Sequence, residues 1–148
     1  MSDSLERLRK GRVAELNVIS KLIDSGLEVY TPIIDKGIDC IIRVDGKPPR
    51  YYDIQIKRSL WNVSVRGARK ILGKLKTMST NYYLVIAIEK NEEYRYIYLT
   101  VEQIEEYHKK FPNIDEIDIN VPAGIRDKLI NSQSLDKLIS ILKGKTET

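Results

Sequence analysis

The chain opens on a helical pattern and then passes to short apolar runs of strand length. Leu5, Leu8, Leu16, Ile19, Leu22 and Ile23 recur at three- and four-residue spacing and mark the apolar side of a first helix. Asp3-Ser4-Leu5-Glu6 has the form of a capping box at its start, and Gly26 can end it. Residues 27–34 read as a strand, closed by Asp35-Lys36-Gly37. Residues 38–44 form a second strand, and Asp45-Gly46 signals a hairpin that Lys47-Pro48-Pro49 widens. Residues 51–58 are then a third strand, antiparallel to the second.

Residues 67–78 carry Ile71, Leu72, Leu75 and Met78 on one side and Lys70 and Lys74 on another, which predicts an amphipathic helix with Arg66 just before it. Residues 82–88 are almost continuously apolar and aromatic, the pattern of a buried inner strand. Residues 94–100 pair beside it across the polar turn 90–93. A helix over 101–110 follows, capped by Thr100. A short strand near 117–121 and a final helix over 134–142 complete the pattern, with a frayed tail over 144–148. Neither a repeat nor a linker interrupts the 148 residues. The expected fold is one α/β domain over 1–148, with a mixed sheet of about five strands flanked by helices.

Charge changes this picture. Residues 1–80 hold 16 Lys or Arg against 9 Asp or Glu, whereas 81–148 hold 9 against 12. From Lys57 to Thr80 there are seven basic residues and no acid. The basic half suits a polyanionic partner or a solvated helix face. The single cysteine, Cys40, excludes an internal disulfide, and with no signal segment it leads to the expectation of a reducing, cytoplasmic compartment. No apolar run reaches membrane-spanning length, so no membrane association is expected.

Four side chains in the basic half carry candidate chemistry. Strand alternation sets Gln55 and Lys57 on one face and Ile56 on the other. Asp39 stands at the mouth of the adjacent apolar strand, after Gly37-Ile38. Glu15 lies close to the apolar stripe of the first helix, where a carboxylate is costly unless paired or coordinated. Each alone has a plain explanation: Glu15 snorkelling to an arginine, Asp39 capping a turn, Gln55 and Lys57 on a solvated strand. Together, Glu15, Asp39 and the Gln55 carbonyl supply oxygen donors of the kind Mg²⁺ takes. Lys57 can position a water beside a phosphodiester or offset transition-state charge.

The order Glu15, Gly37-x-Asp39, Gln55-x-Lys57 resembles the PD-(D/E)xK nuclease superfamily, with its restriction-endonuclease-like three-layer fold. The likeness is greatest to archaeal Holliday junction resolvases. Arg9-Lys10-Gly11, Ala14-Glu15, Val18 to Leu22 and Gly26 are similar to their first helix, and Gln55-Ile56-Lys57-Arg58-Ser59 to their catalytic strand. The Val63-Ser64-Val65-Arg66 stretch and the later elements follow the same rhythm. The resemblance implies cleavage of DNA, branched DNA included, by a homodimer that uses Mg²⁺ or Mn²⁺. Glu15, Asp39 and Gln55 then correspond to metal ligands and Lys57 to the catalytic lysine. Arg9, Lys10, Arg12, Arg58, Arg66, Arg69, Lys70 and Lys74 are the expected grip on the DNA backbone. Two departures are visible: Gln55 stands where resolvases have Glu, and the stretch 31–38 is short and lacks their serine. The first weakens metal binding, and the second bears on junction specificity. A restriction or defence nuclease subunit and a non-catalytic nucleic-acid-binding module are the alternatives.

The remaining candidates are weaker. His108, the single histidine, is expected to be exposed at a charged helix end. Cys40 reads as a core residue without a catalytic histidine partner. Trp61 can stack on a base or pack internally, and Tyr94, Tyr96 and Tyr98 can form a stacking platform, a dimer surface or half-buried sheet.

Overall fold

The computed structural model describes residues 2–34, 37–61, 64–65, 81–110 and 117–145. Helix α1 (Ser2–Asp24) leads into strands β1 (Glu28–Tyr30), β2 (Cys40–Val44), β3 (Arg50–Leu60) and β4 (Ser64–Val65). Strands β5 (Tyr82–Lys90) and β6 (Glu93–Leu99) are followed by α2 (Val101–Tyr107), β7 (His108–Lys110) and β8 (Ile117–Asn120). Helices α3 (Ala123–Ser132) and α4 (Leu135–Gly144) close the described chain.

Five strands form the central sheet in the order β1-β2-β3-β5-β6. β3 lies at its middle, antiparallel to β2 and parallel to β5, so the sheet is mixed. The β2–β3 hairpin runs through Asp45-Gly46 as the turn chemistry predicts. Strand alternation then sorts the side chains onto two faces. Tyr52, Ile54 and Ile56 of β3 join Tyr83, Val85 and Tyr98 in a core covered by α1 and α4. Tyr82, Leu84, Ile86, Ile88, Ile97 and Leu99 face the other way, against Ile104, Ile119 and Leu129 from α2, β8 and α3. A small sheet, β4-β8-β7, belongs to this second side. The result is the layered α/β arrangement expected from the sequence, with buried β5 as an inner strand.

Several boundaries differ from the sequence pattern. α1 presents Ala14, Val18, Ile19 and Leu22 to the sheet, while Leu5, Leu8, Leu16 and Ile23 are about half or more exposed. Two apolar stripes lie side by side on this helix, and the one through Ala14, Val18 and Leu22 is the buried one. The helix already includes Asp3, so the proposed capping box sits inside its first turn. Gly26 does end the helix region, at φ 94°, a left-handed conformation that glycine adopts without a Cβ clash. β1 shrinks to three residues because it pairs only at the sheet edge, with residues 41–43 of β2. Thr100 caps α2 through a full capping box with Gln103. That helix stops at Tyr107, and His108 both caps its C-terminal end, its amide donating to Ile104 O, and begins β7, so the helix does not run on to 110. α3 was not distinguished in the sequence pattern, and α4 runs through Gly144, two residues beyond the expected helix end. The helix expected over 67–78 lies outside the described residues, as do Arg66, Arg69, Lys70 and Lys74.

Candidate functional site

Glu15, Asp39, Gln55 and Lys57 line one cleft of about 450 Å³, together with Leu8, Gly11, Arg12, Gly37, Ile56 and Arg58. The sheet makes this opening. β2 pairs with β3 only between Cys40–Val44 and Arg50–Ile54, so from Ile56 onward β3 runs past the start of β2. Asp39 sits at that point of divergence. Its amide still donates to Ile54 O at 2.9 Å, while its carboxylate Oδ2 accepts from the Ile56 amide at 2.6 Å. This bond continues the ladder with a side chain and fixes the carboxylate at the strand edge. A residue's N–H and C=O leave a strand on the same side, so the Ile56 carbonyl is directed to this edge as well. Gly37, at φ 85°, makes the approach to Asp39 in a conformation that suits glycine.

Glu15 reaches the cleft from α1, one turn before the buried Val18 and Ile19. It is paired with Arg12 across one helical turn, as the snorkelling explanation anticipates, and it still lines the cleft. Gln55 is 4% exposed, and its side-chain oxygen accepts from the Tyr82 hydroxyl. Burial, then the charges of Asp39 and Asp53, push the Tyr82 pKa up, so the phenol is a neutral donor throughout the physiological range. Lys57 is half-buried on the same strand face as Gln55.

Cys40 registers the same clustering. Burial pushes its thiol up to about 12, and the neighbouring charges of Asp39 and Glu15 act in the same direction. It is a core residue, 0% exposed. Alkylation of the native thiol at mildly alkaline pH is therefore expected to run at least about 100-fold slower than in denaturant. Mass-spectrometric labelling rates check this. The raised folded pKa stabilises the fold fully below the unfolded thiol value of about 8.5, and that contribution is lost as pH rises from there toward 12.

The expected backbone grip is distributed differently. Arg9 and Arg12 are exposed on α1, and Lys10, half-buried, pairs with Glu6 at 3.5 Å. Arg58 lines the cleft, yet it is paired with Glu89 across β3 and β5 and is also drawn to Tyr94. Trp61 packs against the second core, with Lys90 and Arg126 each 4.1 Å from its ring centre. Tyr98 is buried and Tyr96 half-buried, with the Tyr94 and Tyr96 rings stacked at 6.2 Å, which fits half-buried sheet. Sequence reasoning missed Tyr82 and Glu89, since Tyr82 stands in a run that reads as core and Glu89 directly follows it.

The donor set fits a hard divalent cation. Two carboxylates, an amide oxygen and a strand-edge carbonyl are oxygen donors of the type Mg²⁺ and Mn²⁺ accept, with waters and phosphate oxygens completing the shell. Among the described residues no three Asp, Glu, His or Cys side chains gather into a metal cluster. Among the described residues, the carboxylates lining the cleft are Glu15 and Asp39.

No protein-family model matches this chain, and no curated protein does. Its structure is similar to that of Hjc, a Holliday junction resolvase from the archaeal hyperthermophile Archaeoglobus fulgidus, with a TM-score of 0.56 at 11% identity. The similarity covers 88% of this chain and 96% of that one. The fold is thus that of a restriction-endonuclease-like α/β domain. No described helix is long and apolar enough to cross a membrane.

Proposed function

We propose that this chain is a metal-dependent endodeoxyribonuclease of the PD-(D/E)xK type, selective for DNA structure and similar in action to Holliday junction resolvases. The observation that carries this reading is the meeting of Glu15, Asp39, Gln55 and Lys57 in one cleft at the open edge of β3. Glu15 and Asp39 would hold Mg²⁺ or Mn²⁺ beside Gln55. A bound ion supplies Lewis-acid activation of water and neutralises charge on the phosphate. Asp39 is held in place by the Ile56 amide, which keeps one of its carboxylate oxygens from rotating away. Lys57 orients the attacking water and offsets the charge that builds on phosphorus. Arg9, Lys10 and Arg12 present positive charge on the adjacent turns of α1, where backbone contacts of any sequence can form. A homodimer acting on branched DNA in the cytoplasm is part of this reading.

Incubation of four-way, flapped and linear DNA with Mg²⁺ or Mn²⁺ tests it. Cleavage that requires the ion, stops with EDTA and favours the four-way substrate is the expected result. DNA binding without cleavage under either ion would instead favour the non-catalytic module. Cleavage only with an added subunit would favour the restriction or defence nuclease.

A further inference from the structure

The contacts of Gln55 are what the nuclease reading leaves unexplained. Its oxygen is engaged by Tyr82, a residue 2% exposed on β5. A planar carboxamide directs its oxygen and its nitrogen away from each other, so anchoring the oxygen on Tyr82 decides where the nitrogen goes. Nε2 has no hydrogen-bond partner among the described residues. The one described side-chain nitrogen or oxygen sealed from solvent without a partner is Arg58 Nε. Nε2 therefore meets solvent, and the solvent that Gln55 lines is the cleft. Lys57 lines the same cleft from the same face of the same strand.

We propose that Gln55 acts in the cleft as a hydrogen-bond donor to a phosphate oxygen of the DNA backbone, and that Tyr82 is the positioning residue that turns its amide that way. The inference rests on the nuclease reading of the cleft and revises one part of it. The ion is held by the carboxylates of Glu15 and Asp39, and the Gln55 oxygen takes no part. A glutamate at this position would accept from Tyr82 in the same way but would offer the phosphate no donor. The chain thus exchanges one charge of a metal site for a phosphate contact that needs no metal.

The test uses two measurements on the full chain. One is Mn²⁺ binding by titration calorimetry without DNA. The other is binding of fluorescent four-way and linear DNA in EDTA, read by anisotropy. Gln55→Met keeps the side-chain length and removes both polar atoms, while Tyr82→Phe removes one buried oxygen. Asp39→Asn is expected to weaken Mn²⁺ binding about tenfold or more, whereas Gln55→Met and Tyr82→Phe stay within about twofold of the parent. Metal-free DNA affinity is expected to fall about tenfold in Gln55→Met, and about threefold in Tyr82→Phe. The Tyr82→Phe loss should vanish in the Gln55→Met background, a non-additivity that a purely structural role for Tyr82 would not produce. Gln55→Glu should bind metal-free DNA at least as weakly as Gln55→Met.

Loss of Mn²⁺ affinity in Gln55→Met as large as in Asp39→Asn, with metal-free DNA binding intact, overturns the proposal. Gln55→Met that changes neither measurement overturns it as well. A parent chain that binds no Mn²⁺, while Gln55→Met still weakens metal-free DNA binding, removes the nuclease reading and leaves the donor role of Gln55 standing.

Discussion

Asp39→Asn and Lys57→Met are each expected to lower metal-dependent DNA cleavage by about 10³-fold while leaving the chain folded. The two variants lose different things. Asp39→Asn keeps a side-chain oxygen that can still accept from the Ile56 amide, so the ladder at the strand edge survives. What disappears is one of the two negative charges that Glu15 and Asp39 would offer the ion. Its cleavage should be partly recovered at high Mn²⁺, because the defect is in ion binding. Lys57→Met keeps the length and the apolar stem of a half-buried side chain and removes the ammonium. Its defect should persist at saturating ion, because the lost group acts on the water and on the phosphate charge. Single-turnover rates across an Mn²⁺ titration separate the two patterns. Activity in both variants equal to that of the parent would show that cleavage, if present, occurs elsewhere.

The second large effect concerns stability. Leu22→Ala is expected to destabilise the fold by about 3 kcal/mol, and Leu16→Ala by less than about 1 kcal/mol. Periodicity places both leucines on the apolar side of α1. In the folded chain Leu22 is 0% exposed, in the core formed with Ile54 and Ile56, whereas Leu16 is 48% exposed. Truncating Leu22 removes buried contacts and leaves a void that a sheet and a helix cannot close together. Truncating Leu16 removes area that water already reaches. Urea unfolding followed by circular dichroism measures both, and equal losses would mean that the outer stripe of α1 is covered in solution.

The outer stripe shows where sequence reasoning reached its limit. A helix of 23 residues with two overlapping apolar stripes satisfies the periodicity rule twice. Which stripe meets the sheet is decided by packing against β3 and its neighbours, where Val18 and Leu22 join Ile54 and Ile56 in one core. α3 escaped for a related reason: Gly124 and the scattered Ile125, Leu129 and Ile130 give a weak period, and the helix is held by burial of Arg126 and Leu129. By contrast, the β2–β3 hairpin, the buried β5, the Thr100 cap and the final helix were legible because turn residues, apolar continuity and capping side chains act locally.

The same division runs through the candidate site. Alternation along β3 determined from the sequence alone that Gln55 and Lys57 share a face, since the pleat has a period of two in any sheet. The residue types likewise determined which chemistry was open to them. That Glu15 and Asp39 arrive at the same opening was decided by tertiary structure, through the early end of β2 and the packing of α1 over Ile54 and Ile56. So were the pairing of Arg58 with Glu89 and the hold of Tyr82 on Gln55, which join β3 to β5 across more than twenty residues of chain. Local rules act over a turn of helix or a pair of strand positions. Contacts across the sheet follow from register and burial, which exist only once the strands have been placed side by side.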